Sequence, residues 1–281
     1  MAQVTLSGAV ATEYSRTTTA DATLNNGDAG GTNFALSATE DLGGGLKASV
    51  FMQQRFNSVT GENINTTILT AGDRGLQNVH VELSGSFGAV RIGRFLTNTN
   101  GAYDAFGQYG HTTYAKSGAV GGRSDRTVQF SSPNISGFTF SVASTNTTGT
   151  GSEYTHMNAE YAMGPVSVAV SSQKAAAVAG VTAVKAQNIN ASYDLGVAKI
   201  MVQNGKSTSA LAVDTTNTTV GARVPMGAMT FKVSARSGDA ANQTAVGVDY
   251  ALSKRTGLYA DMMNETAAVN SAFRLGIKHS F

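Results

Sequence analysis

The residues of this chain that could do chemistry are cations set on alternate positions. Lys47 and Arg55 share their parity with Ser49 and Gln53, while Leu46, Ala48, Val50 and Met52 take the other. Lys199 falls with Gln203 against Ala198, Ile200 and Val202, and Arg223 with Asn217 and Thr219 against Val220, Ala222 and Val224. Lys232 and Arg236 join Thr230 and Ser234 opposite Met229, Phe231, Val233 and Ala235. Arg274 and Lys278 oppose Phe273, Leu275, Ile277, His279 and Phe281. A period of two is the side-chain period of a β-strand. Cations rowed on one face, with aliphatic groups on the other, make and break no bonds. They set up a field along whatever the polar face encloses.

Catalytic and metal-binding groups do not converge. His80, His111, His156 and His279 lack metal-ligand spacing, and no cluster of Asp or Glu joins them. Cysteine is absent, which removes thiolate sites and disulfides. No spacing singles out a nucleophile with its base and orienting acid, and no Gly-Lys-Ser/Thr follows the Gly-x-Gly occurrences. We therefore expect no enzyme, no cofactor and no metal. A formal charge of +2 without a basic cluster also argues against nucleic acid as a partner.

The elements that must carry these rows are short and numerous. The 281 residues include 32 glycines and only 3 prolines, with 14% charged residues and a mean hydropathy of −0.08. No run of about 18 apolar residues is present, so no transmembrane helix is available. Instead the chain divides into about sixteen alternating segments, each near the ~10 residues of a tilted membrane strand. Short connectors such as 41–45, 85–88, 163–165, 194–196, 225–227 and 253–255 carry the Gly, Pro, Asp and Ser of tight hairpins. Longer ones, rich in Thr, Asn and Gly, cover 15–31, 57–73, 96–122, 145–152, 175–183, 207–214, 238–241 and 266–270. Short turns on one side and longer loops on the other describe an all-β, 16-stranded antiparallel transmembrane barrel, with lipid outside and water inside. A soluble sandwich would need strands apolar on both faces, and none is found. The strand pattern begins directly after Met1-Ala2-Gln3, which places the mature start near Ala2 with Met1 as an addition.

Several segments resemble one family. Thr39 to Ala48, with its Asp41-Leu42-Gly43-Gly44-Gly45 turn, is similar to the first periplasmic turn of Gram-negative general porins, the beta-proteobacterial branch in particular. Leu83 to Gly88 followed by Gly93-Arg94 resembles the next turn and the strand that leads to the pore loop. Ser132-Pro133 with Gly137-Phe138, Asp249 to Thr256, and Gly276 to Phe281 continue the match in family order. The resemblance implies a homotrimer of barrels in the bacterial outer membrane, one barrel spanning 1–281, whose third external loop, 97–122, folds inward and narrows the pore. It implies passive passage of small hydrophilic solutes and ions. It also makes the terminal aromatic Phe281 the signal read by the outer-membrane assembly machinery, with membrane lipid and lipopolysaccharide around the wall.

Carried over residue by residue, the resemblance sets Arg94 just before the third loop and Arg123 just after it. With Arg55, Lys47, Asp104 and Lys116 they are the expected constriction; Lys199, Lys232, Arg236 and Glu13 are expected on the lumen wall. Inward acids read by parity are Glu13, Glu82, Asp125, Glu160 and Asp194, fewer than the cations. The sequence departs from cation-preferring members of the family. Residues 105–122 contain no Asp or Glu but do contain His111 and Lys116, and Asn33 stands where an early wall arginine is expected. The field so arranged favours anions. Arg223, Arg274 and Lys278 are expected nearer the periplasmic rim, in contact with solvent. Other readings are a porin specific for phosphate or organic acids, and a structural or adhesive barrel; the short outer loops argue against adhesion.

Overall fold

A computed structural model describes residues 3–18, 20–27, 32–63, 76–96, 123–145, 154–175, 184–209, 212–239, 242–266 and 270–281. Its strands are β1 (Gln3–Thr17), β2 (Ala20–Asn26), β3 (Asn33–Gly43), β4 (Leu46–Arg55), β5 (Asn78–Gly85), β6 (Gly88–Leu96), β7 (Arg123–Ser131), β8 (Phe138–Thr145) and β9 (Tyr154–Met163). They continue as β10 (Val166–Ala175), β11 (Val184–Asp194), β12 (Lys199–Ser209), β13 (Ala212–Met226), β14 (Met229–Gly238), β15 (Gln243–Ala251), β16 (Thr256–Glu265) and β17 (Asn270–Ser280). From β3 onward each strand pairs antiparallel with the next, and β17 returns to β1 over Ala9↔Ser280 to Thr17↔Ala272. The wall is closed: among the described residues every strand but β2 pairs on both sides, and β2 pairs with β1.

Seventeen segments fill sixteen wall positions, because β2 and β3 share one. The upper half of β1 pairs with β2 (Thr12↔Asn26 to Thr17↔Ala20) and its lower half with β3 (Gln3↔Thr39 to Ala9↔Asn33). Between them, Gly27 and Thr32 stand beside Ala11. The backbone groups of Ala11 are satisfied there from three directions. Its N–H donates to Thr32 Oγ1 at 3.0 Å, and its carbonyl accepts from Thr32 Oγ1 (3.1 Å), Gly27 N (3.0 Å) and Ser58 Oγ (2.6 Å). An unpaired main-chain group in a wall bordering hydrocarbon costs several kcal/mol; here hydroxyls replace the missing ladder.

Exposure is inverted relative to a soluble fold. Phe273, Leu275 and Ile277 of β17 are 41%, 51% and 46% exposed, and Val4, Leu6, Ile92, Val128, Ile189 and Val246 follow the same pattern on other strands. The buried set on the opposite parity is largely polar: Asn188, Asn190, Gln203, Thr219, Lys232, Asp249 and Asp261. A slip of one residue would carry these groups into lipid, at about 2–4 kcal/mol for each cation near the midplane.

Two expected loops prove shorter. Residues 15–17 and 20–26 extend a hairpin, with Thr17 paired to Ala20, and β12 and β13 run on until Ser209 pairs with Ala212. Thr, Asn and Ser suit the water-washed rim of a strand as well as they suit a loop, so composition did not separate the two. Residues 97–122, expected to form the pore loop, lie outside the described residues.

The seam is closed at the C-terminus. Phe281 N donates to Gly8 O at 3.0 Å, Gly8 N donates to Phe281 O at 3.1 Å, and the Phe281 ring lies over Gly8. Deleting Phe281 or replacing it with Asp is expected to lower the amount of barrel in outer membranes of expressing cells, while purified chains still refold in detergent. Unchanged outer-membrane levels would contradict this.

Candidate functional site

Two groups of ionic side chains line the polar face. The first gathers where β6 ends and β7 begins, the two points at which the 97–122 connector leaves and returns. β6 is irregular here: its pairing to β7 shifts between Gly93 and Phe95, Gly93 has φ 145°, and Arg126 on β7 has φ 50°. A bulge re-aims a side chain that strict alternation would send outward. Arg94 Nε donates to Gln77 O at 3.2 Å, and its terminal nitrogen donates to the carboxylate of Asp125. Arg123 Nε donates to Asn78 Oδ1 at 3.0 Å.

Behind Arg123 runs a ladder of amides across the wall. Asn78 Nδ2 donates to Gln53 Oε1 (2.5 Å), and Gln53 Nε2 donates to Asn33 Oδ1 (3.1 Å). Each amide passes its donor one strand further toward β3, so among the described residues Arg123 is held by an aligned chain of dipoles. Arg55 stands opposite Asn33 in register, and the Arg123 guanidinium feels the positive charges of Arg55 and Arg94. Arg55, Arg94 and Arg123 are thus brought together, with Asp125 the acid bound to one of them. Below them Arg91 bonds Glu82 at 2.6 Å and lies over Phe95, which contacts His80, itself stacked on Phe51.

Lys47 is not part of this group. It sits at the turn end of β4, opposite Asp41, roughly 27 Å from Arg55 at the ~3.4 Å rise of a strand. Lys199 opens β12 at the same end, opposite Asp194 and Arg223. Asp104 and Lys116 lie outside the described residues. Arg236 stands opposite Gln243, with Glu265 the nearby acid.

The second group closes the wall from β13 round to β1. Lys232 Nζ reaches Asp249 Oδ1 at 2.6 Å and Asp261 Oδ1 at 2.9 Å; Arg223 approaches Asp249 at 3.7 Å. Tyr259 donates its hydroxyl proton to Glu13 Oε2 at 2.8 Å, and Arg274 stands 3.6 Å from Glu13. Two glycines make the crossings possible. Lys232, Gly247 and Asp261 fall in one cross-strand row, and a Cβ at Gly247 would lie 2.0 Å from Asp261 Oδ1. Tyr259, Gly276 and Glu13 form the next row, and a Cβ at Gly276 would lie 2.2 Å from the tyrosine ring. Arg223 and Arg274 were expected as solvated rim charges; their side chains are instead 17% and 16% exposed and are drawn into this network. Asp249 and Asp261 escaped the reading of inward acids. Parity could have found them, since Val248 and Tyr250 flank one and Ala260 and Met262 the other.

Among the described residues no group of three or more His, Asp or Glu side chains could hold a metal ion. What the geometry defines is a water-lined transmembrane β-barrel with charge arranged along its bore. Residues 1–267 match the family model for Gram-negative porin, and the chain belongs to that family: it is a diffusion channel of the outer membrane. It is similar to outer membrane porin protein 32 of Delftia acidovorans, 30% identical over 271 residues that cover 85% of this chain and 75% of the relative. An anion-selective porin from Comamonas acidovorans has the same fold, with TM-score 0.80, 25% identity and 100% of both chains covered. The trimer form of OmpT from Vibrio cholerae aligns with TM-score 0.72 at 14% identity, covering 100% of this chain and 99% of that one.

The second group yields a stability test. Asp261→Leu takes one carboxylate from a buried lysine, and a loss of about 3 kcal/mol or more is expected in urea unfolding of the detergent-refolded barrel. Adding Lys232→Met should return part of that loss. Equal stabilities of wild type and Asp261→Leu would show that the network carries little.

Proposed function

We propose that this porin passes small hydrophilic solutes and ions and favours anions. The observation that carries the reading is the contrast between the two ionic groups. The wall cations Arg223, Lys232 and Arg274 stand against Asp249, Asp261 and Glu13, so their far field largely cancels. Among the described residues Arg55, Arg94 and Arg123 gather with one bonded acid, Asp125, at the roots of the 97–122 connector, which supports a positive field there. In a bore with low-dielectric walls such a field raises the local anion concentration. In our reading residues 97–122, Asp104 and Lys116 included, fold inward and bring the waist to these arginines. The name of the Comamonas relative as an anion-selective porin supports the same direction.

The channel works as a homotrimer in a surround of outer-membrane lipid and lipopolysaccharide, and reaches it through assembly machinery that reads the C-terminal strand. Support for the trimer comes from the trimer form of the OmpT relative, and for the signal from the placement of Phe281 at the closing seam.

Planar-bilayer recording tests the preference. The wild type should give an anion-side zero-current potential in a salt gradient, weakening as the Debye length falls from ~10 Å at 0.1 M to ~3 Å at 1 M. Arg94→Glu with Arg123→Glu should move it toward cations. Lys278→Glu, near the turn end of β17, should move it much less. Cation selectivity of the wild type at low salt would overturn the proposal.

A further inference from the structure

Ion preference makes no use of one aromatic set on the lumen face. Phe51 on β4 has the lumen parity of Ser49, Gln53 and Arg55, and His80 on β5 is its direct cross-strand partner. The two rings stack, with centroids 5.5 Å apart and planes 28° from parallel. Phe95 meets His80 edge-on, at 5.5 Å and 74°. Gly93, the partner of His80 on β6, brings no side chain, and a Cβ there would lie 2.2 Å from Val79 O. The irregularity between Gly93 and Phe95 re-aims the phenyl ring to the side that the glycine leaves empty. Arg91 then lies 5.3 Å over Phe95 and bonds Glu82 at 2.6 Å.

The three rings divide the work. Phe95 is the packed member, 2% exposed. Phe51 and His80 are only half-buried, so both rings stay partly open to the bore. Among the described residues His80 Nδ1 has no hydrogen-bond partner, and the ring contacts set the orientation of the imidazole. Passage of inorganic ions gives no reason to place a phenyl ring in water between Ser49 and Gln53. A stacked pair is, however, a platform on which another ring can lie offset or edge-on. The platform stands directly below the arginines. His80 is two residues from Asn78, which holds Arg123, so their rows are ~7 Å apart at the ~3.4 Å rise of a strand. Arg55 stands four residues above Phe51 on the same face, about 14 Å along the strand. Two residues below His80, Glu82 is bonded to Arg91, so the lower edge of the platform is an ion pair and not a second seat for an anion.

We propose that Phe51 and His80, with Arg123 above them, form a subsite in the bore for aromatic monocarboxylates. The solute's ring lies on the Phe51–His80 platform and its carboxylate meets the Arg123 guanidinium, a charge-assisted pairing. The subsite rests on the anion preference and adds a class of solute to it. An inorganic anion uses the arginines alone. A saturated ring carboxylate fills the same volume but has no π face to set against the two rings, and loses that part of the attraction.

Block of chloride current through the full-length channel in planar bilayers, at neutral pH, tests it. The probes are benzoate and cyclohexanecarboxylate, equal in charge and similar in size. The fall of current with probe concentration gives an apparent Kd for each. Benzoate should block the wild type at about three- to tenfold lower concentration than cyclohexanecarboxylate. In Phe51→Leu combined with His80→Leu that preference should disappear, while the zero-current potential in a KCl gradient stays at the wild-type value. Phe51→Tyr, which keeps a ring, should keep the preference. Arg123→Gln should weaken block by both probes and leave their ratio, because charge and ring act separately. Should the double variant refold poorly, Phe51→Leu alone is expected to lower the preference about twofold. Equal block by the two probes in the wild type, or an undiminished preference in the leucine variants, overturns the proposal. Undiminished block of Arg123→Gln would take the carboxylate away from Arg123 and overturn it as well. A cation-selective wild type would defeat the anion reading itself, whereas an anion-selective wild type with equal probe affinities defeats the subsite alone.

Discussion

Everything in this molecule depends on the requirement that no backbone N–H or C=O be left unpaired beside hydrocarbon. Closing β17 onto β1 meets it for the sheet as a whole. The interruption of the ladder between β2 and β3 shows how strict it is. There the side chains of Thr32 and Ser58 take over hydrogen bonds of Ala11. Once the wall is closed, the two faces have different solvents, and the period of two assigns every side chain to one of them.

The lumen face then has two ways to handle charge. From β13 to β1, long side chains lie flat across glycines and neutralise one another, which thickens the wall without adding a field. At the roots of the 97–122 connector, a chain of amides supports Arg123, so that its Nε donor is satisfied by a neutral group. Asn33 has a role in this. An arginine was expected at that position; an amide there begins the ladder that positions an arginine four wall strands away.

How much of this was legible in the sequence follows from where alternation holds. In β14 and β17 it is unbroken, and the facing of Lys232, Arg236, Arg274 and Lys278 could be read directly. In β6 and β7 it fails, because the bulge at Gly93–Phe95 and the left-handed Arg126 alter the parity of what surrounds them. Arg94 and Arg123 were reachable only through family resemblance. Partners were harder still. Nothing local links Lys232 to Asp261 or Tyr259 to Glu13, since the register that aligns them exists only when the sheet is closed. The split of β2 from β3 was hidden because Thr- and Asn-rich sequence reads alike as rim strand and as loop.

The seam has a consequence for the order of events in folding. Ala9 and Ser280 are partners from opposite ends of the chain, so this pairing has the greatest loop entropy to overcome and the highest contact order in the sheet. Neighbouring hairpins can zip locally, but β1 and β17 meet only after the strands between them have curved round. Tyr259 reaches Glu13 across Gly276 only when the register of that final meeting is correct. A one-residue slip would leave a phenol and a carboxylate each without its partner. The crossing at Gly276 therefore acts as a proofreading contact, rewarding the last and slowest step only when every earlier strand has been counted correctly.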